Sequence, residues 1–329
     1  MTIRVGLIGR GVAGTVYHAP LIKAVAELDL AGVAGYGDAA GLIADPAIDL
    51  IVVATPNLTH FPLARAALEA GKHVVVEKPF AISVAEADAL IALANQRGKV
   101  LCVFHNRRWD GDFLTVRALV ESGRLGEIML FEAHWDRFRR AIQEGWREVA
   151  AEGAGLLADL GPHMIDQMLL LFGSPDAIEA DITAQRGDAA VDDYWSLTFH
   201  YGCRRAVLSA STLAAAPRPR FALHGTGASF VKYGLDTQEA ALRGGRGPGD
   251  TGFGQSSDDG MLTLADGSNA KIATARGAYA SFYTGLAAAI RDGGPPPVDP
   301  ADAREGLRLI ALARQSAEEG RRIGCRDTG

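Results

Sequence analysis

Apolar positions in the first hundred residues fall into short continuous runs separated by stretches with helical spacing. Ile3, Val5, Leu7 and Ile8 make one run, Leu28 to Val33 a second, and Leu50-Ile-Val-Val-Ala54 a third. Runs this compact and β-branched suit strands covered on both faces, as in a parallel sheet. Lys72 to Val76 and Val100 to Phe104 read the same way. Between them the spacing predicts a helix over 62–70 with Gly71 in the position that closes it. Ser83-Val-Ala-Glu86 is a capping box before a further apolar-periodic helix, which Gly98 ends. Strand and helix alternate throughout residues 1–105, which predicts a doubly wound parallel sheet of the α/β class.

Beyond residue 110 the rhythm changes. A helix is expected over 112–122, ended by Gly123, and longer alternating strands over 127–138, 178–185, 193–200, 204–211 and 220–224. Tyr194-Trp-Ser-Leu-Thr-Phe-His200 alternates as a strand does when one sheet face is wetter than the other. Residues 241–260, rich in Gly, Asp and Ser, are expected to be a mobile loop. The spacing of Ala303, Leu307, Ile310 and Ala313 predicts a helix over 301–323. Two domains are expected, 1–110 and 111–329.

The 329 residues carry 33 Lys and Arg against 39 Asp and Glu, a formal charge of −6. That balance argues against nucleic-acid and anionic-membrane partners, which call for a basic face. Cys102, Cys203 and Cys325 lie far apart with no CxxC spacing, so neither a disulfide framework nor a metal site is expected. No signal-peptide pattern follows Met1 and no apolar run reaches the roughly 18 residues of a membrane span. A soluble, cytoplasmic protein is the expectation.

Gly9-Arg10-Gly11-Val12-Ala13-Gly14 follows the first predicted strand and opens a helix, the context in which G-x-G-x-x-G has a mechanism. The first glycine permits the tight turn and the second lets a pyrophosphate approach the backbone. The third lets helix and strand pack closely, with the helix N-terminus facing the phosphates. A nicotinamide dinucleotide is therefore the expected cofactor. NAD readers place an acid at the end of the second strand, and here none occurs before Asp38. That weighs towards NADP, although no arginine stands nearby in sequence to meet a 2′-phosphate, and NAD stays open.

Lys78, in Glu77-Lys78-Pro79, sits at the C-terminal end of a predicted strand, where it can donate to a developing alkoxide or accept a snorkelling surface role instead. Asp159 and His163 are four apart on one helix face, provided Pro162 lies in the first turn. A carboxylate beside an imidazole can fix its tautomer for general-base work, although such a pair is also a common structural hydrogen bond. His105-Asn-Arg-Arg-Trp-Asp110 offers Arg107 and Trp109 for a polyhydroxylated substrate, or an interdomain ion-pair cluster. Arg139 and Trp146 are similar pocket material.

Together the glycine loop, Ala54-Thr-Pro-Asn-x-x-His60, Gly71-Lys-His-x-x-x-Glu-Lys-Pro79 and Asp159-x-Gly-x-His163-x-x-Asp166 resemble the Gfo/Idh/MocA oxidoreductases. Val103 to Asp110 and His224 to Leu235 are similar to the branch containing NADP-dependent scyllo-inositol dehydrogenases. The resemblance implies a Rossmann domain followed by an α/β domain with a large open, mostly antiparallel sheet, and a homodimer or homotetramer. It implies Lys78, Asp159 and His163 as catalytic residues, and a cis peptide before Pro79. The cofactor would be lined by the glycine loop with Thr55, Pro56, Asn57, His60, Glu77, Lys78 and Asn106. Arg107, Trp109, Arg139, Trp146, Asp159, His163 and Lys232 would meet a polyol or keto-sugar. Hydride transfer at a secondary alcohol or ketone follows, with reduction of another small carbonyl, or a non-catalytic nucleotide-binding regulator, as alternatives. One departure stands out: only residues 34–49 separate Val33 from Leu50, where the family usually has helix, strand and helix.

Overall fold

The computed structural model describes residues 2–143, 145, 148–150 and 153–326. In chain order the elements are β1 (Ile3–Ile8), a π turn (Ala13–His18) running into α1 (Ala19–Lys23), β2 (Leu28–Ala34), α2 (Ala39–Ala44), β3 (Leu50–Val53), α3 (His60–Glu69), β4 (His73–Val76), α4 (Val84–Arg97) and β5 (Leu101–Val103). Then come α5 (Gly111–Glu121), β6 (Ile128–Asp136), α6 (Leu156–Phe172), β7 (Ala177–Thr183), β8 (Tyr194–Tyr201), β9 (Arg204–Ser211), β10 (Phe221–Gly225) and β11 (Ala228–Lys232). The chain finishes with α7 (Gln238–Arg243), β12 (Gly260–Leu264), β13 (Asn269–Ile272), α8 (Ala280–Asp292), α9 (Pro300–Glu319) and β14 (Ile323–Gly324).

Two compact units result. The first comprises Met1–Asp110, Asp236–Gln255 and Arg276–Leu307, and the second Gly111–Leu235, Ser256–Ala275 and Arg308–Gly329. The expected single boundary at 110 is therefore too simple, because two later stretches return to the first unit. The reason is apolar burial: Ala241, Leu242, Phe253, Tyr279, Phe282, Tyr283 and Leu286 join the same core as the parallel sheet. The stretch expected to be a mobile loop thus opens with α7, and Phe253 is held by Arg276 Nε, which donates to its carbonyl at 2.8 Å.

In the first unit the strand order is β2-β1-β3-β4-β5, all parallel. Leu50–Val53 is buried at every position, as its composition predicts. The order reverses between β1 and β3, the switch point where α/β folds place ligands. The short crossover between β2 and β3 consists of one 3-10 turn (Tyr36–Asp38) and α2. β2 is consequently an edge strand. Gly6 and Gly32 let α2 lie against the sheet: a Cβ on either would come within 2.8 Å of Leu42.

In the second unit nine strands run β13-β12-β11-β10-β6-β9-β8-β7-β14, antiparallel except for the β6–β9 pair. α6 packs on β8 and β9, and its Leu157, Met164, Ile165 and Met168 share a core with Phe131, Trp195 and Phe221. Pro162 does not mark the first turn of this helix. It is interior, because α6 already starts at Leu156, where the Leu157 N–H donates to the Asp192 carboxylate at 2.7 Å. The terminal helix stops at Glu319, short of 323, where Gly320 adopts a φ of +63° and the chain turns into β14.

Candidate active site

In the first unit, the parallel strands deliver their polar residues in a row at their C-terminal ends. β1 leads into the glycine loop, β3 into Thr55-Pro56-Asn57, β4 into Glu77-Lys78 and β5 into the turn containing Asn106. Gly9 has a φ of +138°, and a Cβ there would lie 2.1 Å from the Ala54 carbonyl oxygen. A Cβ on Gly14 would lie 2.0 Å from the Gly9 carbonyl oxygen, whereas one on Gly11 would meet nothing within 4 Å. Two glycines are thus demanded by close packing of the loop. The third leaves an open approach to the backbone, which is the space a pyrophosphate requires. Arg10, Val12 and Ala13 complete the loop, with Arg10 and Val12 exposed.

His60, fully buried, ties two of these ends together: its Nε2 faces the Thr55 carbonyl at 2.9 Å and its Nδ1 the Pro79 carbonyl at 2.8 Å. Burial pushes its pKa below the ordinary value. The Lys78–Pro79 peptide is cis. Glu77 is buried, which works to raise its pKa, but the hydrogen bond from His18 and the charge of Lys78 outweigh burial and hold the carboxyl below its ordinary value. Asn57 and Asn106 are buried, Thr55 and Lys78 half-buried and Pro56 exposed.

Arg10 brings a guanidinium to the end of β2, where none is adjacent in sequence. Its Nη2 lies 3.5 Å from Asp38 Oδ2, and its Nη1 would lie 3.7 Å from a Cβ on Gly35. Arg107 is committed elsewhere: its guanidinium pairs with Glu239 and Asp110 and donates to Tyr279 Oη at 3.4 Å. That is the ion-pair alternative raised by its sequence neighbourhood. Trp109 packs edge-on against Phe282 at 5.8 Å between centroids.

In the second unit, Asp159, His163 and Asp166 share one face of α6 by their i, i+4, i+7 spacing. His163 and Asp166 are buried, at 5% and 2% exposure. Asp159 lies 3.9 Å from Arg137 Nη1, a partner that sequence reasoning missed because Arg137 sits at the end of β6, far along the chain. One turn after His163, Gln167 accepts from Arg220 at 2.9 Å, and Arg220 stacks 4.8 Å over Trp135. Lys232 is buried and donates to the Tyr233 carbonyl. Arg139 is exposed and donates to Gln143 at 3.2 Å. Trp146 lies outside the described residues. Among the described residues no group of three His, Cys, Asp or Glu side chains is arranged to hold a metal ion.

Comparison with known proteins adds the decisive finding. Residues 29–105 match the oxidoreductase family's NAD-binding Rossmann fold and residues 117–324 its C-terminal alpha/beta domain, the two parts of GFO_IDH_MocA. The chain belongs to the Gfo/Idh/MocA oxidoreductase family. It is 42% identical to the oxidoreductase YdgJ of Escherichia coli (strain K12), with 96% of each chain covered. It is 38% identical to the scyllo-inositol 2-dehydrogenase (NADP(+)) IolW of Bacillus subtilis (strain 168), with 98% of this chain and 96% of the relative covered. That alignment runs over 342 positions, more than the 329 residues of this chain, so the relative carries residues that this family member lacks. Among solved structures, YPO2259 of Yersinia pestis superimposes with a TM-score of 0.96 at 39% identity, covering 100% of this chain and 98% of that one. The yvaA protein of Bacillus subtilis does so with a TM-score of 0.95 at 37% identity, covering 98% of each. The family member described here is thus an oxidoreductase with a nicotinamide-nucleotide Rossmann domain, and the glycine loop fits that group.

Proposed function

We propose that this oxidoreductase is an NADP-preferring dehydrogenase that oxidises a secondary alcohol of a cyclitol or sugar, or reduces the corresponding ketone. The observation that carries the reading is the intact Lys78, Asp159 and His163 set within a chain 38% identical to an NADP-dependent scyllo-inositol dehydrogenase. When bound, the nicotinamide supplies the acceptor for the hydride leaving the carbinol carbon. The glycine loop, Thr55, Pro56, Asn57, His60, Glu77 and Asn106 hold that cofactor. His163 takes the hydroxyl proton at a ring nitrogen and Asp159 orients the imidazole. The Lys78 ammonium donates to the oxygen as its charge develops. Each proton-transfer role contributes on the order of 10²–10⁴-fold.

Arg10 supports the NADP preference, since a guanidinium at the end of β2 matches a 2′-phosphate in charge and geometry. Trp109, Arg139, Trp146 and Lys232 remain proposed substrate contacts, whereas the pairing of Arg107 fits an anchoring role. Assembly into a homodimer or homotetramer through the open sheet, and a cytoplasmic location, complete the proposal. Among the described residues no helix is long and apolar enough to cross a membrane.

The test is nicotinamide reduction by the purified protein with NADP and with NAD, against a panel of inositols and aldoses. Turnover on scyllo- or myo-inositol with NADP favoured supports the proposal. Turnover confined to a small non-sugar carbonyl overturns the substrate class, and nucleotide binding without turnover on any substrate favours a regulator.

A further inference from the structure

Glu77 ends a chain of hydrogen bonds whose other members, Tyr283 and His18, have no role above. Tyr283 Oη is 2.6 Å from His18 Nδ1, and His18 Nε2 is 3.1 Å from Glu77 Oε1. The other carboxylate oxygen, Glu77 Oε2, accepts the main-chain N–H of Lys78 at 2.9 Å. His18 and Tyr283 are both 0% exposed. The His18 ring is pinned by Phe104 at 4.2 Å between centroids, and Phe104 is itself braced edge-on by Phe282 at 4.9 Å. In such packing the imidazole has one orientation.

His18 reaches this position through a local irregularity. It is the last residue of the π turn, in which the Ala19 N–H donates to the Gly14 carbonyl, five residues back. Pro20 follows and has no N–H with which to close an α-helical bond onto Val16. The extra residue rotates position 18 by about 100° relative to an uninterrupted α-helix.

The protons follow by elimination. Burial pushes the Tyr283 hydroxyl well above its ordinary pKa, so it keeps its hydrogen. Among the described residues its hydrogen-bond partner is His18 Nδ1. A proton not donated there would be buried unpaired, at a cost of about 1–3 kcal/mol. Nδ1 therefore accepts, and the ring N–H sits on Nε2 and points at Glu77. The other titratable groups facing this chain are Lys78 and His60 beside Glu77, and Cys102 beside Tyr283.

We propose that Tyr283 and His18 are positioning residues that hold the Glu77 carboxylate in place and, through it, Lys78. The kinetic consequence rests on the dehydrogenase reading of Lys78, whereas the hydrogen-bond chain itself does not. The test uses the full chain as wild type, Tyr283→Phe, His18→Gln and His18→Leu. In the wild type, nitrogen NMR of His18 should show a hydrogen on Nε2 and an accepting Nδ1. Tyr283→Phe removes the hydroxyl that fixes this tautomer, so the Nδ1 and Nε2 signals should change. Turnover should then fall roughly tenfold, while KM for the polyol stays unchanged. His18→Gln, whose amide can donate to Glu77 and accept from Tyr283, should restore most of the activity that His18→Leu loses. A wild-type His18 with its hydrogen on Nδ1, or a Tyr283→Phe variant with the wild-type tautomer and turnover, overturns the proposal. If Tyr283→Phe fails to fold, equal turnover of His18→Gln and His18→Leu overturns it instead. Absence of turnover in the wild type counts against the dehydrogenase reading alone, because the NMR result decides the hydrogen-bond chain separately.

Discussion

The two units place their candidate site residues by different means. In the first, four parallel strands end side by side and the backbone positions the site: the glycine loop, the Thr55 turn and Lys78 each follow directly from a strand. In the second, Asp159 and His163 stand on a helix braced by a sheet, and side-chain packing sets their orientation. Backbone-positioned sites are sensitive to changes of φ and close approach, whereas helix-positioned sites are sensitive to changes in the packing beneath the helix.

The largest effect on stability should come from Gly9→Ala. Its Cβ would enter the Ala54 carbonyl and its φ of +138° is strained for alanine. A loss of roughly 2–4 kcal/mol is expected in urea unfolding. Gly11→Ala sharpens the point, because nothing lies within 4 Å of the added methyl. Its unfolding midpoint should match the wild type while NADP affinity, followed by fluorescence titration, falls roughly tenfold through obstruction of the pyrophosphate. Equal destabilisation by both substitutions would remove the distinction.

A smaller effect is shared by both units. Burial, then Lys99, lowers the pKa of His73 in β4 from 6.5 to about 4, and the Val100 N–H donates to its Nδ1, which requires a bare nitrogen. In β6, burial and then Arg218 lower His134 to about 4. The folded chain resists these protons while the unfolded chain binds them. Stability is therefore fully present above about pH 6.5 and lost as pH falls towards about 4. Thermal midpoints measured across that range should decline in the wild type, and His73→Gln and His134→Gln should each flatten part of the slope. Unaltered slopes would contradict the assignment.

The smallest change expected is a few-fold loss of NADP preference over NAD in Arg10→Ala, since the guanidinium is exposed and one of several contacts. Binding of adenosine 2′,5′-bisphosphate against AMP is the direct readout. Equal loss for both nucleotides would mean that Arg10 does not read the 2′-phosphate.

Much of this was legible in the chain itself because the signals were local. Leu50–Val53 is apolar and buried throughout, the Ser83 side chain caps α4 by accepting the Glu86 N–H while the Glu86 carboxylate accepts from Ile82 in place of Ser83, and the glycine loop carries its own context. What was not legible depends on long-range partners. Nothing local marks α8 as a helix whose Phe282 and Tyr283 join the core of the parallel sheet. Arg10 reaches the end of β2, and Arg107 is drawn to Glu239, only through the fold. Pro162 looks like a helix start until Asp192, thirty residues later, is seen to cap α6 ahead of it. His18, a lone histidine after the loop, gives no sequence signal that it faces Glu77.

The central claim is that His163 is the base of an alcohol dehydrogenation. It is tested most directly by comparing NADPH formation from scyllo-inositol by the wild type and by His163→Ala, with NADP binding measured on the same samples. The account predicts turnover by the wild type, at least about 10²-fold less by the variant, and equal NADP affinity. A variant that binds NADP and oxidises the polyol at the wild-type rate would contradict it.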